Sequence, residues 1–118
     1  MSDVPASEQK PLLTIDDFAR LDLRVATIVE AAPHPNADRL VVLQIDLGAE
    51  RRQLVAGIRT HYDPATLVGK QIVVVANLQP ARLRGIESQG MLLAASDTEG
   101  RLAIVTPEKP VAAGATVK

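Results

Sequence analysis

The chain has 118 residues, a net charge of −1 and a hydrophobic share of 47%. That length fits one domain with its own core, and the charge excludes gripping nucleic acid through a bulk positive excess. Cysteine is absent, which removes disulfides, thiolate catalysis and Cys-ligated zinc.

The start of the chain, MSDVPASEQKP, has no basic stretch followed by an apolar core, so no signal peptide is expected. No apolar run approaches the roughly 18 residues of a membrane span, and a cytoplasmic location is the expectation. Residues 1–13 are polar, contain Pro5 and Pro11 and show no periodicity, as in a flexible leader; residues 14–118 are the expected domain. Thr14 followed three residues later by Asp17 has the form of a helix cap. A short helix to about Arg20 is predicted, with Ile15, Phe18 and Ala19 on one face and Phe18 as a core anchor.

Residues 23–30 alternate, Leu23, Val25, Thr27 and Val29 against Arg24, Ala26, Ile28 and Glu30, which predicts a strand. Pro33 and Pro35 end it and open a loop through Asp38. Residues 41–47 alternate again, with Leu43, Ile45 and Leu47 inward. A turn over 48–51 leads to a third strand at 53–56. Asp63-Pro64 is a cap and first helical residue, and Gly69 a stop, so one short helix is expected before the fourth strand. Residues 72–76 are continuously apolar, as in a strand buried on both faces. Residues 91–95 make a fifth strand, and 102–105 with 115–117 a terminal extension. Five short strands with a helix between the third and fourth is the layout of an all-β OB-fold, a five-stranded Greek-key barrel, here with short helices and terminal extensions.

Residues 77–96, NLQPARLRGIESQGMLLAAS, carry the chemistry. Arg82 and Arg84 bracket Leu83, so in an extended segment both guanidiniums point the same way. Arginine's fixed fork of donors suits phosphate. Gly85 and Gly90 permit a tight backbone and close approach of a ligand. Ser88, Gln89 and Met91 add a hydroxyl, an amide and a soft apolar side chain. Phe18 and Tyr62 are the only aromatic residues, too few for an OB-fold that stacks successive bases, so recognition of a folded RNA by shape and phosphate position is favoured.

Other chemistries lack their parts. His34 and His61 have no third ligand in view, so no metal site is expected. No serine lies in a nucleophile elbow and no phosphate-binding glycine motif occurs, so neither catalysis nor a cofactor is expected.

The same stretch, with IDDFARLDLRVATIVEA (15–31), HPNADRL (34–40), LVAGIR (54–59) and LVGKQIVVVANL (67–78), resembles the tRNA-binding domain appended to bacterial methionyl-tRNA synthetases. That domain also occurs in stand-alone tRNA-binding proteins and in the endothelial-monocyte-activating-polypeptide group. The resemblance covers residues 14–118. It implies tRNA binding that follows structure more than sequence, in cis or in trans to a synthetase, by Asn77, Arg82, Arg84, Ser88 and Met91, with Arg39 and Gln89 completing the surface. It implies a homodimer built through the terminal extensions. Two positions depart from the family's pattern: Arg39 stands where lysine is frequent, and Ala81 where a basic residue often follows the proline. The alternative is a chaperone-like, peptide-binding module of the same fold, as in the related secretion chaperone.

Overall fold

The computed structural model describes residues 9–118. Most of the expected leader, residues 1–8, lies outside the described residues, and residues 9–14 have no regular structure. Helix α1 spans Ile15–Ala19. Asp17 N donates to Thr14 Oγ1 (3.1 Å) and Thr14 N to Asp17 Oδ2 (3.3 Å), the reciprocal cap that the sequence spells. The expectation for Phe18 fails: α1 buries no residue, and Phe18 is 38% exposed. The helix has only five residues and lies outside the barrel, so its apolar side covers no core.

Ten strands follow: β1 (Leu23–Pro33), β2 (Val41–Asp46), β3 (Arg51–Ala56), β4 (Gln71–Val75), β5 (Ala81–Leu83), β6 (Ile86–Ser88), β7 (Met91–Leu92), β8 (Ala94–Ser96), β9 (Leu102–Ile104) and β10 (Thr116–Val117). The principal sheet runs β3-β2-β1-β4-β7, antiparallel throughout, with β10 also on β1. β1 is long enough to serve two partners. Its first half pairs β4, from Leu23–Val75 to Thr27–Gln71, and its second half pairs β2, from Thr27–Asp46 to Pro33–Val41. A register shift between Ile28 and Glu30 bends the strand between those tasks, as a bulge does.

The strand patterns hold with two changes. β2 buries Val41, Leu43 and Ile45, as its alternation requires, and β4 buries Ile72, Val73, Val74 and Val75 in a row. In β1 the core takes Ala26 and Ile28, while Val25 is covered from the other side by the C-terminal extension: Val25 N donates to Ala115 O (2.9 Å) and Gly114 N to Val25 O (2.7 Å). The expected fifth strand is broken at Leu93, which turns to bridge β4 and the β9 side: Leu93 N donates to Val73 O and Val105 N to Leu93 O. Asp63 caps a 3-10 turn over Pro64–Thr66, and Gly69 ends the segment at φ +91°.

The barrel's last seam, between β3 and the segment around β6 and β7, is closed without a regular ladder. Gln89 N donates to Gln53 O (2.8 Å), Gln53 N to Gln89 Oε1 (3.1 Å), Gln53 Nε2 to Glu87 O (2.8 Å) and Val55 N to Ser88 Oγ (3.0 Å). Side-chain oxygens of Ser88 and Gln89 thus take the place of missing strand carbonyls. The result is a nearly closed antiparallel barrel of the OB type.

Candidate functional site

β5 and β6 form a two-stranded sheet of their own, joined to β3 at the seam just described. Leu83 pairs Ile86, so Arg84 and Gly85 are the two turn residues, at φ +53° and +89°. Positive φ at both positions is the hairpin turn whose twist matches its strands. The strand alternation therefore stops at Leu83, and the inference that Arg82 and Arg84 share a face does not carry through the turn. Arg82 instead folds back: its Nη1 donates to Gly85 O at 2.8 Å, pinning the turn. Both arginines are exposed.

Arg39 and Arg59 lie at the same end. Arg59 N donates to Arg39 O (3.2 Å), and the loop holding Arg39 reaches the hairpin through His34, whose Nε2 lies 3.0 Å from Leu83 O. Charge pairing separates these arginines from others. Arg24 pairs with Asp22, Arg52 with Glu50, and Arg101 with Asp97 and Glu99. Among the described residues, Arg39, Arg59, Arg82 and Arg84 form no salt bridge. Arg20 and Arg51 form none either, but Arg20 caps α1 and Arg51 lies opposite Asp46 at the other end of β2. Arg101 is spent on its own turn; its backbone N–H and then its guanidinium hold the Asp97 carboxyl below the usual carboxylate range.

The polar members of the expected surface are engaged within the protein. Ser88 is 4% exposed, and its Oγ accepts from Val55 N and donates to Gly90 O (3.0 Å). Gln89 is tied to Gln53 on both sides. Asn77 Nδ2 donates to Arg20 O (2.7 Å) and its Oδ1 accepts from Asp22 N (2.8 Å), joining the end of β4 to the α1–β1 link. Gly90, at φ +139°, makes its close approach to the protein's own backbone: a Cβ there would sit 3.0 Å from Val75 O. Met91 is 50% exposed and borders a cleft of about 450 Å³ lined by Val55, Ile58, Leu83, Leu93 and Leu102. A wider cleft of about 600 Å³, lined by Tyr62, Lys70, Gln71 and Pro107, has no arginine in its lining.

Two residues were missed from the sequence. Arg52 bonds Ala76 O, and its Nη1 also lies 3.4 Å from Gln89 O, fastening the seam beside Asn77. His34 is buried between the arginine loop and the hairpin. Its neighbour prolines signalled a loop, but nothing in the sequence marked its partner at Leu83. Among the described residues no group of three or more His, Asp or Glu side chains gathers as for a metal, and no helix is long and apolar enough to cross a membrane.

Residues 23–116 match the family model described as "Putative tRNA binding domain". The chain belongs to this tRNA-binding domain family. It is similar to parts of larger enzymes. It is 55% identical over 106 residues to the methionine-tRNA ligase of Thermococcus kodakarensis, covering 90% of this chain and 14% of that protein. It is 54% identical over 111 residues to the enzyme of Thermotoga maritima, covering 94% and 18%. The tRNA-binding domain thus spans less than a fifth of these curated relatives. Among solved structures, a MetRS-related protein from Pyrococcus horikoshii superposes with a TM-score of 0.87 at 32% identity, covering 92% of this chain and all of that one. The chaperone CsaA from Bacillus anthracis gives 0.84 at 30% identity, again over 92% of this chain and all of the other.

Proposed function

We propose that the domain binds tRNA by the shape and phosphate positions of the folded molecule, through the barrel end that carries Arg39, Arg59, Arg82 and Arg84. The observation that supports this most is the division of the arginines: among the described residues those at this end have no acidic partner, whereas Arg24, Arg52 and Arg101 do. A chain with net charge −1 then keeps a local positive patch. Met91 supplies an exposed apolar contact beside it. Asn77, Ser88 and Gln89 act by holding the backbone that bears the patch. The domain serves a methionyl-tRNA synthetase in the cytoplasm, in cis or in trans, raising the effective concentration of tRNA near the catalytic unit and performing no catalysis itself.

The test is a titration against bulk tRNA, with single-stranded RNA and duplex DNA as competitors, at low and physiological salt. Preference for tRNA with an affinity that falls as salt rises is expected, the slope reporting about 0.7–0.9 counterion per phosphate contacted. No binding at low salt would remove the proposal.

The proposed active form is a homodimer. Leu12, Leu13, Ile15, Phe18 and Leu21 are exposed in the single chain, an apolar cluster at and around α1 that a second copy would cover. Sedimentation is expected to give twice the 12.6 kDa chain mass, and Phe18→Ser to shift the species toward monomer. A monomer at all concentrations would end this part of the proposal.

One observation favours a second reading, a peptide-binding chaperone-like module. The Met91 cleft is mostly aliphatic, and CsaA shares the fold. Displacement of tRNA by an unfolded apolar peptide would support it.

A further inference from the structure

We infer that His34 is a positioning residue for tRNA binding, holding the arginine hairpin in place through the Leu83 carbonyl. This rests on the tRNA-binding reading above.

His34 is 4% exposed and both ring nitrogens have partners. Asn36 N donates to Nδ1 at 2.9 Å, which leaves the ring proton on Nε2, and Nε2 donates to Leu83 O at 3.0 Å. The first bond shapes the 34–40 loop. The second crosses from that loop to the last residue before the Arg84-Gly85 turn. Its importance follows from how the hairpin is otherwise held. The base is fastened to β3 through Ser88 and through Gln53 on Glu87. The tip is not: among the described residues, the hydrogen bonds of residues 82–86 are internal to the hairpin except the one from His34. Leu83 also lines the cleft with Val55 and Leu93, but such apolar contact is non-directional and does not fix the turn's orientation as a hydrogen bond does. The His34 bond gives the hairpin a second fixed point, next to Arg84, and His34 N donates to Leu40 O (3.0 Å), which brings the Arg39 end of the same 34–40 loop alongside. Fixing Arg84 and Arg82 relative to Arg39 before the ligand arrives removes an ordering cost from binding.

Two substitutions divide the imidazole's functions. His34→Gln places an amide donor near the Nε2 position and keeps the tie to Leu83. His34→Asn keeps a short acceptor for Asn36 N–H and loses the reach to Leu83. Each variant is titrated with bulk tRNA beside the unaltered chain, with melting temperature measured in parallel. His34→Asn is expected to bind between about threefold and tenfold more weakly, the range for one lost neutral hydrogen bond, while His34→Gln stays within twofold. Binding of His34→Asn at the unaltered level would overturn the inference, as would an equal loss in His34→Gln. Where His34→Asn does not fold, His34→Met replaces it, having Gln's length and no donor. Failure of the unaltered chain to bind tRNA would instead strike the reading of the domain's function.

Discussion

Replacing Arg82 and Arg84 together with alanine is expected to weaken tRNA binding by roughly 1–3 kcal/mol, about 5- to 150-fold, with the barrel intact. Both side chains are exposed, and neither guanidinium meets a carboxylate among the described residues, so the charges are available to phosphate. The slope of affinity against salt should fall by about one to two counterions. Stability should change little: alanine keeps a Cβ at Arg84's φ of +53°, so the turn is no more strained than before, and the loss of the Arg82–Gly85 bond is an exposed, local matter. A matched pair, Arg24→Ala with Arg101→Ala, removes the same formal charge from arginines already paired with Asp22, Asp97 and Glu99, and should cost less than twofold. Equal losses from both pairs would mean that net charge alone governs binding and would take the hairpin out of the site.

The elements most legible in the sequence are those whose partners lie within a few residues. The Thr14–Asp17 cap, the Asp63-Pro64 start and the alternation of Leu43 and Ile45 depend on local geometry, and each appears as read. Elements decided by distant chain were less legible. Phe18 has the spacing of a core residue, but whether a five-residue helix finds a core depends on where Asn77 ties it. β1's inward face depends on the bulge near Val29 and on the C-terminal segment that covers Val25. The site shows the same division. A serine, a glutamine and an asparagine beside two arginines look alike in sequence whether they donate to RNA or to the protein's own backbone. Only the pairing of Ser88 with Val55, Gln89 with Gln53 and Asn77 with Asp22 separates these uses. Each partner lies more than thirty residues away, beyond any local pattern.

Ser88→Ala is where that separation has the largest measurable consequence. Residues near an RNA-binding turn invite the expectation that a serine's loss harms binding more than folding. The geometry predicts the reverse balance. The Oγ is buried, accepts from Val55 N at 3.0 Å and donates to Gly90 O at 3.0 Å. Alanine leaves Val55 N–H without that acceptor at the seam between β3 and β6, and an unsatisfied buried amide costs about 1–3 kcal/mol. In a domain of this size each kcal/mol lowers the melting temperature by roughly 4 °C. Binding should weaken as well, because β6 is one leg of the arginine hairpin and Ser88 is its attachment to the barrel. That weakening should be smaller than for the double arginine variant and should leave the salt slope unchanged, since no phosphate contact is lost. Cysteine at position 88 keeps a weak donor and acceptor and should recover part of the stability. A Ser88→Ala domain that melts normally but binds tRNA poorly with a reduced salt slope would show that the hydroxyl leaves its buried partners to meet RNA directly.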